Sequence, residues 1–111
     1  MTAPLWGLAT YFNPFRGALR TRNYHQFRAR LQVPLLTVEW SPDGVFDLRP
    51  GDADILLQFH GGDILWQKER LLNLALSRVP AGCEAVAVLD GDILLASDDW
   101  ADRTLQALQQ V

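Results

Sequence analysis

The sequence predicts an α/β fold: an open, mostly parallel, Rossmann-like sheet of about four strands with helices on its faces. Three observations predict it. Short apolar runs alternate along the chain with segments of helical periodicity. Strands separated by helices are joined by crossovers, which make the strands parallel. The run "AVAVL" is apolar throughout, as expected of a strand covered on both faces. A length of 111 residues fits one small domain.

The predicted elements, in chain order, are a strand over 5–12, a helix over 21–31, strands over 35–40 and 55–59, a helix over 64–79, a strand over 85–89 and a helix over 99–110. The first strand, "LWGLATYF", is a nearly continuous apolar run, and Asn13-Pro14 ends it. Tyr24 and Phe27 then recur at helical spacing in "TRNYHQFRARL" and give the first helix an aromatic inner face. Pro34 ends this helix and opens "LLTVEW", a second strand rich in β-branched and apolar residues.

In the second half, "SPDG" predicts a type I turn, because proline presets φ and glycine tolerates positive φ. "VFDL" could add a short extra strand, and "ILLQF" is the third main strand. The next helix has Asp63 as its expected N-cap and an apolar face through Leu65 and Leu72; "PAGC" ends it. "AVAVL" is the fourth strand, and Asp99 and Asp102 form a capping-box-like pair at the start of the last helix.

Composition and charge narrow the class of protein. The formal net charge is −3, and the ten Lys and Arg residues form no basic stripe interleaved with aromatic residues, so nucleic-acid binding is not expected. The single cysteine, Cys83, cannot form an internal disulfide. The first residues show no signal-peptide pattern, and no apolar run approaches the roughly 20 residues that span a bilayer. We therefore expect a cytoplasmic protein with no membrane span.

Side chains that can bind a ligand follow each predicted strand. Ligands of an open α/β sheet bind beyond the carboxyl ends of its strands, and parallel strands gather those ends on one edge. The segments at these ends are Phe12-Asn13-Pro14, Glu39-Trp40, His60-Gly61-Gly62 and Asp90-Gly91-Asp92.

Asp90 and Asp92 are the strongest of these candidates. Two carboxylates at one strand end repel each other unless a cation or protons intervene. Mg²⁺ or Mn²⁺ would resolve this repulsion, since such hard ions take oxygen ligands and often share them with substrate phosphates. Acidic turns are common, however, so a simple strand terminator remains the alternative.

Lys68 is the second candidate, because its helical angle falls within the apolar stripe near the strand ends. It could offer a point charge to a phosphate, or extend along the helix to water. The amides of Gly61-Gly62 could bind an anion or form only a tight turn. No P-loop or G-x-G-x-x-G motif follows the first strand.

The stretch "WQKERLLNLAL", followed by "CEAVAVLDGDILL", resembles the nucleotide-sugar half of GT-A fold glycosyltransferases. It is similar to galactosyltransferase-like and family-2-like members, in which a helix precedes a strand that ends in D-x-D. The segments "ATYFNP" and "LLTVEWSPDGVFDL" resemble one bacterial subgroup, so the resemblance covers nearly the whole chain.

This resemblance implies a donor, a cofactor and a set of contacts. The donor would be a nucleoside-diphosphate sugar and the cofactor Mn²⁺ or Mg²⁺, which acts as a Lewis acid for the departing nucleoside diphosphate. The implied contacts are Phe12, Asn13, Pro14 and Glu39 to the nucleoside, Lys68 to the diphosphate, and Asp90 and Asp92 to the metal. Glu39 departs from the pattern, since an aspartate is common at that position.

Length is the larger departure, because the family's fold continues beyond the helix after D-x-D into a half that supplies the acceptor site and the usual catalytic base. We therefore expect a truncated nucleotide-sugar-binding-like domain over 1–111, whose exposed apolar surface is covered in a homodimer or another homo-oligomer. Two alternatives remain: a nucleotide-binding module without turnover, and a relic fold that serves self-association. A Toprim-type domain pairs a strand-end glutamate with D-x-D, and here it would use Glu39, Asp90 and Asp92. This sequence, however, lacks the Gly-rich strand entry that such a domain is expected to have.

Overall fold

The computed structural model describes residues 3–12, 17–61, 70, 72–90 and 100–109. These residues form a four-stranded sheet with helices on both faces. The strands are β1 (Leu5–Phe12), β2 (Leu35–Ser41), β3 (Ile55–His60) and β4 (Ala85–Asp90). The helices are α1 (Ala18–Leu31), a helical segment over 72–76 (α2) and α3 (Trp100–Gln109). A 3₁₀ turn covers Pro50–Asp52.

All neighbouring strands in this sheet are parallel, in the order β3-β2-β1-β4. The two central strands carry apolar residues on both faces, and every residue of β2 is buried. Parallel sheets need this pattern because both of their faces are covered. The architecture confirms the predicted α/β class and the Rossmann-like parallel sheet.

Two hydrophobic cores lie on opposite faces of the sheet, because successive strand residues point to opposite sides. On one face, Ala9 and Tyr11 of β1 pack with Tyr24, Phe27 and Leu31 of α1. Trp100 of α3 packs against this first core, and its indole N–H donates to the carbonyl of Leu31 at 2.9 Å. The first helix and the last helix therefore share a face of the sheet.

The second core lies on the opposite face and uses α2. Trp6 and Leu8 of β1 pack there with Leu36, Val38 and Trp40 of β2, and Ala75 of α2 is buried among them. The partly buried residues packed against this core are Ala3, Phe12, Ile55, Leu57, Phe59, Leu72, Val79, Cys83 and Val86. The crossover from β3 to β4 thus runs over the face opposite to α1.

Several predicted boundaries differ from the structure. Helix α1 begins at Ala18 rather than at residue 21, directly after an extended Gly17. Residues 45–48, the possible extra strand, are not a strand. Residues 77–79 are a turn and a bend, so the helical segment ends before the predicted residue 79. Asp63, Leu65 and Asp99 lie outside the described residues.

Candidate functional site

The carboxyl ends of the strands meet at one edge of the sheet, as the parallel topology requires. Phe12 of β1 is the register partner of Trp40 in β2, and Trp40 is the partner of Phe59 in β3. On the other side of β1, Thr10 is the register partner of Asp90, the last residue of β4. The beginning of the D-G-D segment therefore lies beside the end of β1.

This position between β1 and β4 is the topological switch point of the sheet. From β1 the chain passes through α1 to β2 on one side, and from β3 it crosses to β4 on the other side of β1. Helices α1 and α2 pack on opposite faces. Connections that leave adjacent strands in opposite directions open a crevice at the carboxyl ends, and open α/β sheets bind their ligands there.

The described residues include three of the seven predicted site residues: Phe12, Glu39 and the backbone of Asp90. Phe12 and Asp90 end neighbouring strands, so the fold brings these two positions together. Asn13, Pro14, Lys68 and Asp92 lie outside the described residues. Their contacts with a ligand remain predictions.

Phe12 belongs to a row of three aromatic residues across the sheet edge. Its ring lies 4.8 Å from that of Trp40, centroid to centroid, with the ring planes tilted by 53°. The Trp40 indole N–H donates to the carbonyl of Gly61 at 2.6 Å, which fixes the central ring. Phe12 and Phe59 are only partly buried. The row lies on the α2 face of the sheet, where Phe12 and Phe59 pack against the second core, and of the three residues only Phe12 belongs to a strand beside the crevice. The ring of Phe12 is the one that could pack against a planar ring there.

Sequence reasoning used Phe12 and named Trp40 without assigning it a contact, but it missed Phe59 and the row itself. A signal was present, because each aromatic residue stands within two residues of the carboxyl end of its strand. Only the strand register shows that the three residues are direct neighbours.

Glu39 lies inside the protein, with 2% of its surface exposed. Its Oε2 accepts a hydrogen bond from the backbone N–H of Asp47 at 2.7 Å. Its Oε1 accepts from the N–H of Leu48 at 3.2 Å and from the side-chain amide of Gln58 at 2.9 Å. Burial raises the pKa of this carboxyl above its usual range, and the three hydrogen bonds act in the opposite direction.

These contacts make Glu39 the anchor of the loop over residues 42–48. They also explain why "VFDL" is not a strand, since the amides of Asp47 and Leu48 donate to a side chain rather than to a neighbouring strand. Contact between Glu39 and a nucleoside remains a prediction, and such a ligand would have to reach a carboxylate already engaged by three donors.

Tyr11 connects this loop to α1. Its hydroxyl lies 2.8 Å from the hydroxyl of Thr21 and donates to the carboxylate of Asp47 at 3.0 Å. At the start of the loop, Ser41 donates to Asp43 at 2.8 Å. The α1 side of this edge is therefore occupied by a hydrogen-bonded loop, whereas the aromatic row lies on the α2 side.

Among the residues that the structure describes, no three His, Cys, Asp or Glu side chains are close enough to hold one metal ion. The predicted metal ligands are Asp90, of which the backbone is described, and Asp92, which is outside the described range. Carboxylate oxygens are the donor type that Mg²⁺ and Mn²⁺ prefer, so the residue types fit the predicted ion.

Within the described ranges, no helix has the length and apolar character needed to cross a bilayer. No protein-family model matches the chain, and neither a curated protein nor a solved structure is significantly similar to it.

Proposed function

We propose that this domain binds a nucleoside diphosphate or a nucleoside-diphosphate sugar through a divalent cation held by Asp90 and Asp92. The observation that carries the proposal is the position of Asp90. It ends β4 at the switch point, in register with Thr10 of β1. This is where an open parallel sheet binds its ligands, and it is where the sequence changes from an apolar strand to D-G-D.

The chemistry of the ligand follows from the charge at this point. Two aspartates separated by one glycine favour a hard divalent ion, and Mg²⁺ or Mn²⁺ commonly shares its ligands with substrate phosphates. When bound, the ion would neutralise the diphosphate and act as a Lewis acid for its departure. Lys68, through its point charge, is proposed to approach the same diphosphate.

The nucleoside is proposed to lie beyond the end of β1, against Phe12, Asn13 and Pro14. Phe12 supports this placement, because it is partly buried and ends a strand beside the crevice. Glu39 is also predicted to contact the nucleoside. We propose that its main role is to hold the loop over 42–48 in place at this edge of the sheet, through its hydrogen bonds with Asp47 and Leu48.

Transfer of a glycosyl group is the activity that the GT-A resemblance implies. The acceptor site and catalytic base that this activity requires have no counterpart among the residues assigned here. A binding module without turnover is therefore the alternative. We propose that the chain associates with a second copy of itself. We also propose that it is cytoplasmic, which agrees with its single cysteine, since disulfide-rich chains belong to oxidising compartments.

Calorimetric titration of the full chain with UDP and GDP, each with and without Mn²⁺, tests the binding proposal. We expect binding of one of these nucleotides only when Mn²⁺ is present. The Asp92→Ala variant should lose it, whereas Asp102→Ala, which removes an exposed aspartate of α3, should bind as the wild type does. Metal-independent binding, or equal binding by both variants, would contradict the proposal.

Turnover separates the enzyme from the binding module. Release of nucleoside diphosphate from the corresponding nucleotide sugar, measured with Mn²⁺ present, would support a transferase-derived active site. Binding without release would support the binding module.

A further inference from the structure

Thr10 has a polar group at the carboxyl edge of the sheet that the fold itself does not use. It lies in β1 between Leu8 and Phe12, which both contribute to the second core. Because strand residues alternate between the two faces, the Thr10 side chain lies on the α2 side of the sheet. It is partly buried, and Thr10 is the register partner of Asp90 at the end of β4. Thr10 is therefore at the crevice where the ligand is proposed to bind.

The hydroxyl of Thr10 has no hydrogen-bond partner within the part of the chain that the structure describes. Every other hydroxyl group in the described ranges is engaged. The pairs are Tyr11 with Thr21, Tyr24 with Thr37, Ser41 with Asp43, Ser77 with the carbonyl of Leu74, and Thr104 with the carbonyl of Trp100. A partly buried hydroxyl can bond to water in the free protein and exchange that water for a polar group of a ligand.

The neighbouring residues of β1 cannot supply this donor. Tyr11 lies on the opposite face, where its hydroxyl is bonded to Thr21 and to Asp47. Phe12 has no polar group in its side chain. A ligand at the end of β1 therefore meets Thr10 as the unengaged side-chain donor of this strand.

The proposed placement of the nucleotide brings its diphosphate to this position. The ion is proposed to lie with Asp90 and Asp92 at the end of β4, and the nucleoside at the end of β1. The diphosphate must then cross between the two strand ends, where Thr10 and Asp90 are register partners. The helix predicted to carry Lys68, the other proposed contact of the diphosphate, packs through Ala75 on the same face of the sheet as Thr10.

We infer that Thr10 is a further binding residue of this site, and that its hydroxyl donates a hydrogen bond to a phosphate oxygen of the metal-bound nucleoside diphosphate. The inference rests on the proposed function and adds a neutral donor from β1 to the charged groups of Asp90, Asp92 and Lys68. Threonine hydroxyls can donate in this way, and a hydrogen bond to an ionised oxygen is roughly twice as strong as one between neutral groups.

Calorimetric titration of the full chain with UDP and GDP in the presence of Mn²⁺ tests this role. Thr10→Val keeps the shape of the side chain and removes the donor, so the affinity for the nucleotide that binds should fall about ten- to a hundredfold. Thr10→Ser keeps the hydroxyl and should bind nearly as the wild type does. Thr37→Val, the matched control in β2, removes a buried hydroxyl bonded to Tyr24 and should leave the affinity of the folded protein unchanged.

Urea denaturation separates a donor to the ligand from a hydroxyl that holds the fold. Because the Thr10 hydroxyl has no partner in the described structure, Thr10→Val should keep the wild-type free energy of unfolding. Thr37→Val should lower it, since the hydroxyl of Tyr24 loses one of its partners. A Thr10→Val variant that loses stability together with affinity would show a structural role and overturn the inference.

The remaining outcomes keep this inference apart from the proposed function. If Thr10→Val binds as well as the wild type, or if Thr10→Ser is as weak as Thr10→Val, the role of the hydroxyl is overturned and the nucleotide site stands. If the wild-type chain binds neither nucleotide with Mn²⁺, the proposed function is overturned, and the inference with it.

Discussion

Glu39 is a buried carboxylate that organises a loop. Its position at the end of a strand suggested a contact with a ligand, and its three hydrogen bonds show a structural role. The donors are two backbone amides and one glutamine, none of which carries a positive charge. Burial therefore dominates and raises the pKa of the carboxyl.

The Glu39→Gln variant should be less stable than the wild type, because its NH2 group replaces one of the two oxygens that accept hydrogen bonds and faces an N–H group from which it cannot accept. Removal of a buried acceptor typically costs about 1–3 kcal/mol. A carboxyl whose folded pKa lies above its unfolded value stabilises the fold most below the unfolded value, near 4.5. That stabilisation is lost as the pH rises through the folded pKa.

The cost of Glu39→Gln in the free energy of unfolding should therefore be largest below pH 4.5 and should shrink as the pH rises. Urea denaturation of both proteins across this range measures it, and Glu84→Gln, at an exposed position, is the control. A cost that grows with pH would show that the pKa of Glu39 is lowered in the fold.

Gln32, directly after α1, has a φ of 64°, in the left-handed region. Glycine is the usual residue at such helix ends because it lacks the Cβ atom that strains this conformation. We expect Gln32→Gly to raise the free energy of unfolding by about 0.5–1 kcal/mol. Gln26→Gly, at an exposed position inside the helix, should instead lower it by a similar amount. Destabilisation by Gln32→Gly in urea denaturation would contradict this account.

At the scale of elements, the packing of α1 on β1 depends on Gly7. A Cβ atom added there would lie 3.1 Å from Cδ2 of Leu31 and 3.4 Å from Cδ1 of Leu35. Both neighbours are fully buried and have little room to move. The glycine thus sets how closely the end of the helix approaches the strand.

Gly7→Ala should lower the free energy of unfolding by about 1–3 kcal/mol, because overpacking forces buried side chains from their preferred positions. The double variant Gly7→Ala with Leu31→Ala should show less than the sum of the two separate costs, since the second change removes the contact. Chemical denaturation measures both. Strict additivity would show that the Leu31 contact is not the cause.

The strands could be predicted from sequence because each is a short apolar run bounded by turn residues. β1 was predicted with its observed bounds, and β2, β3 and β4 each extend one residue further. The additional residues, Ser41, His60 and Asp90, are polar, so an apolar pattern ends before them. The loop over 42–48 could not be predicted, because it depends on side-chain hydrogen bonds with Glu39 of the preceding strand and with Tyr11 of β1, which is 36 residues before Asp47.

At the scale of the whole molecule, the candidate site follows from topology. The sequence predicted parallel strands and a shared carboxyl edge, but it could not predict which strands are neighbours. The order β3-β2-β1-β4 sets Asp90 beside β1 and aligns Phe12, Trp40 and Phe59 in one row. The identity of the ligand depends on Asn13, Pro14, Lys68 and Asp92. The roles of these four residues are predicted from the sequence and from the GT-A resemblance alone.

The central claim is that a metal–nucleotide complex binds at the carboxyl edge between β1 and β4. Amide chemical shifts of the labelled chain, recorded during titration with Mg²⁺ and the nucleotide that binds, test it most directly. We expect the largest changes at Thr10–Phe12 and Leu89–Asp90. Little change is expected at Leu5–Gly7 and Ala85–Val86, which lie at the amino ends of the same strands, on average about 13–17 Å away at 3.3 Å per residue. Changes confined to the amino ends, or no changes with Mg²⁺ and UDP or GDP, would contradict the account.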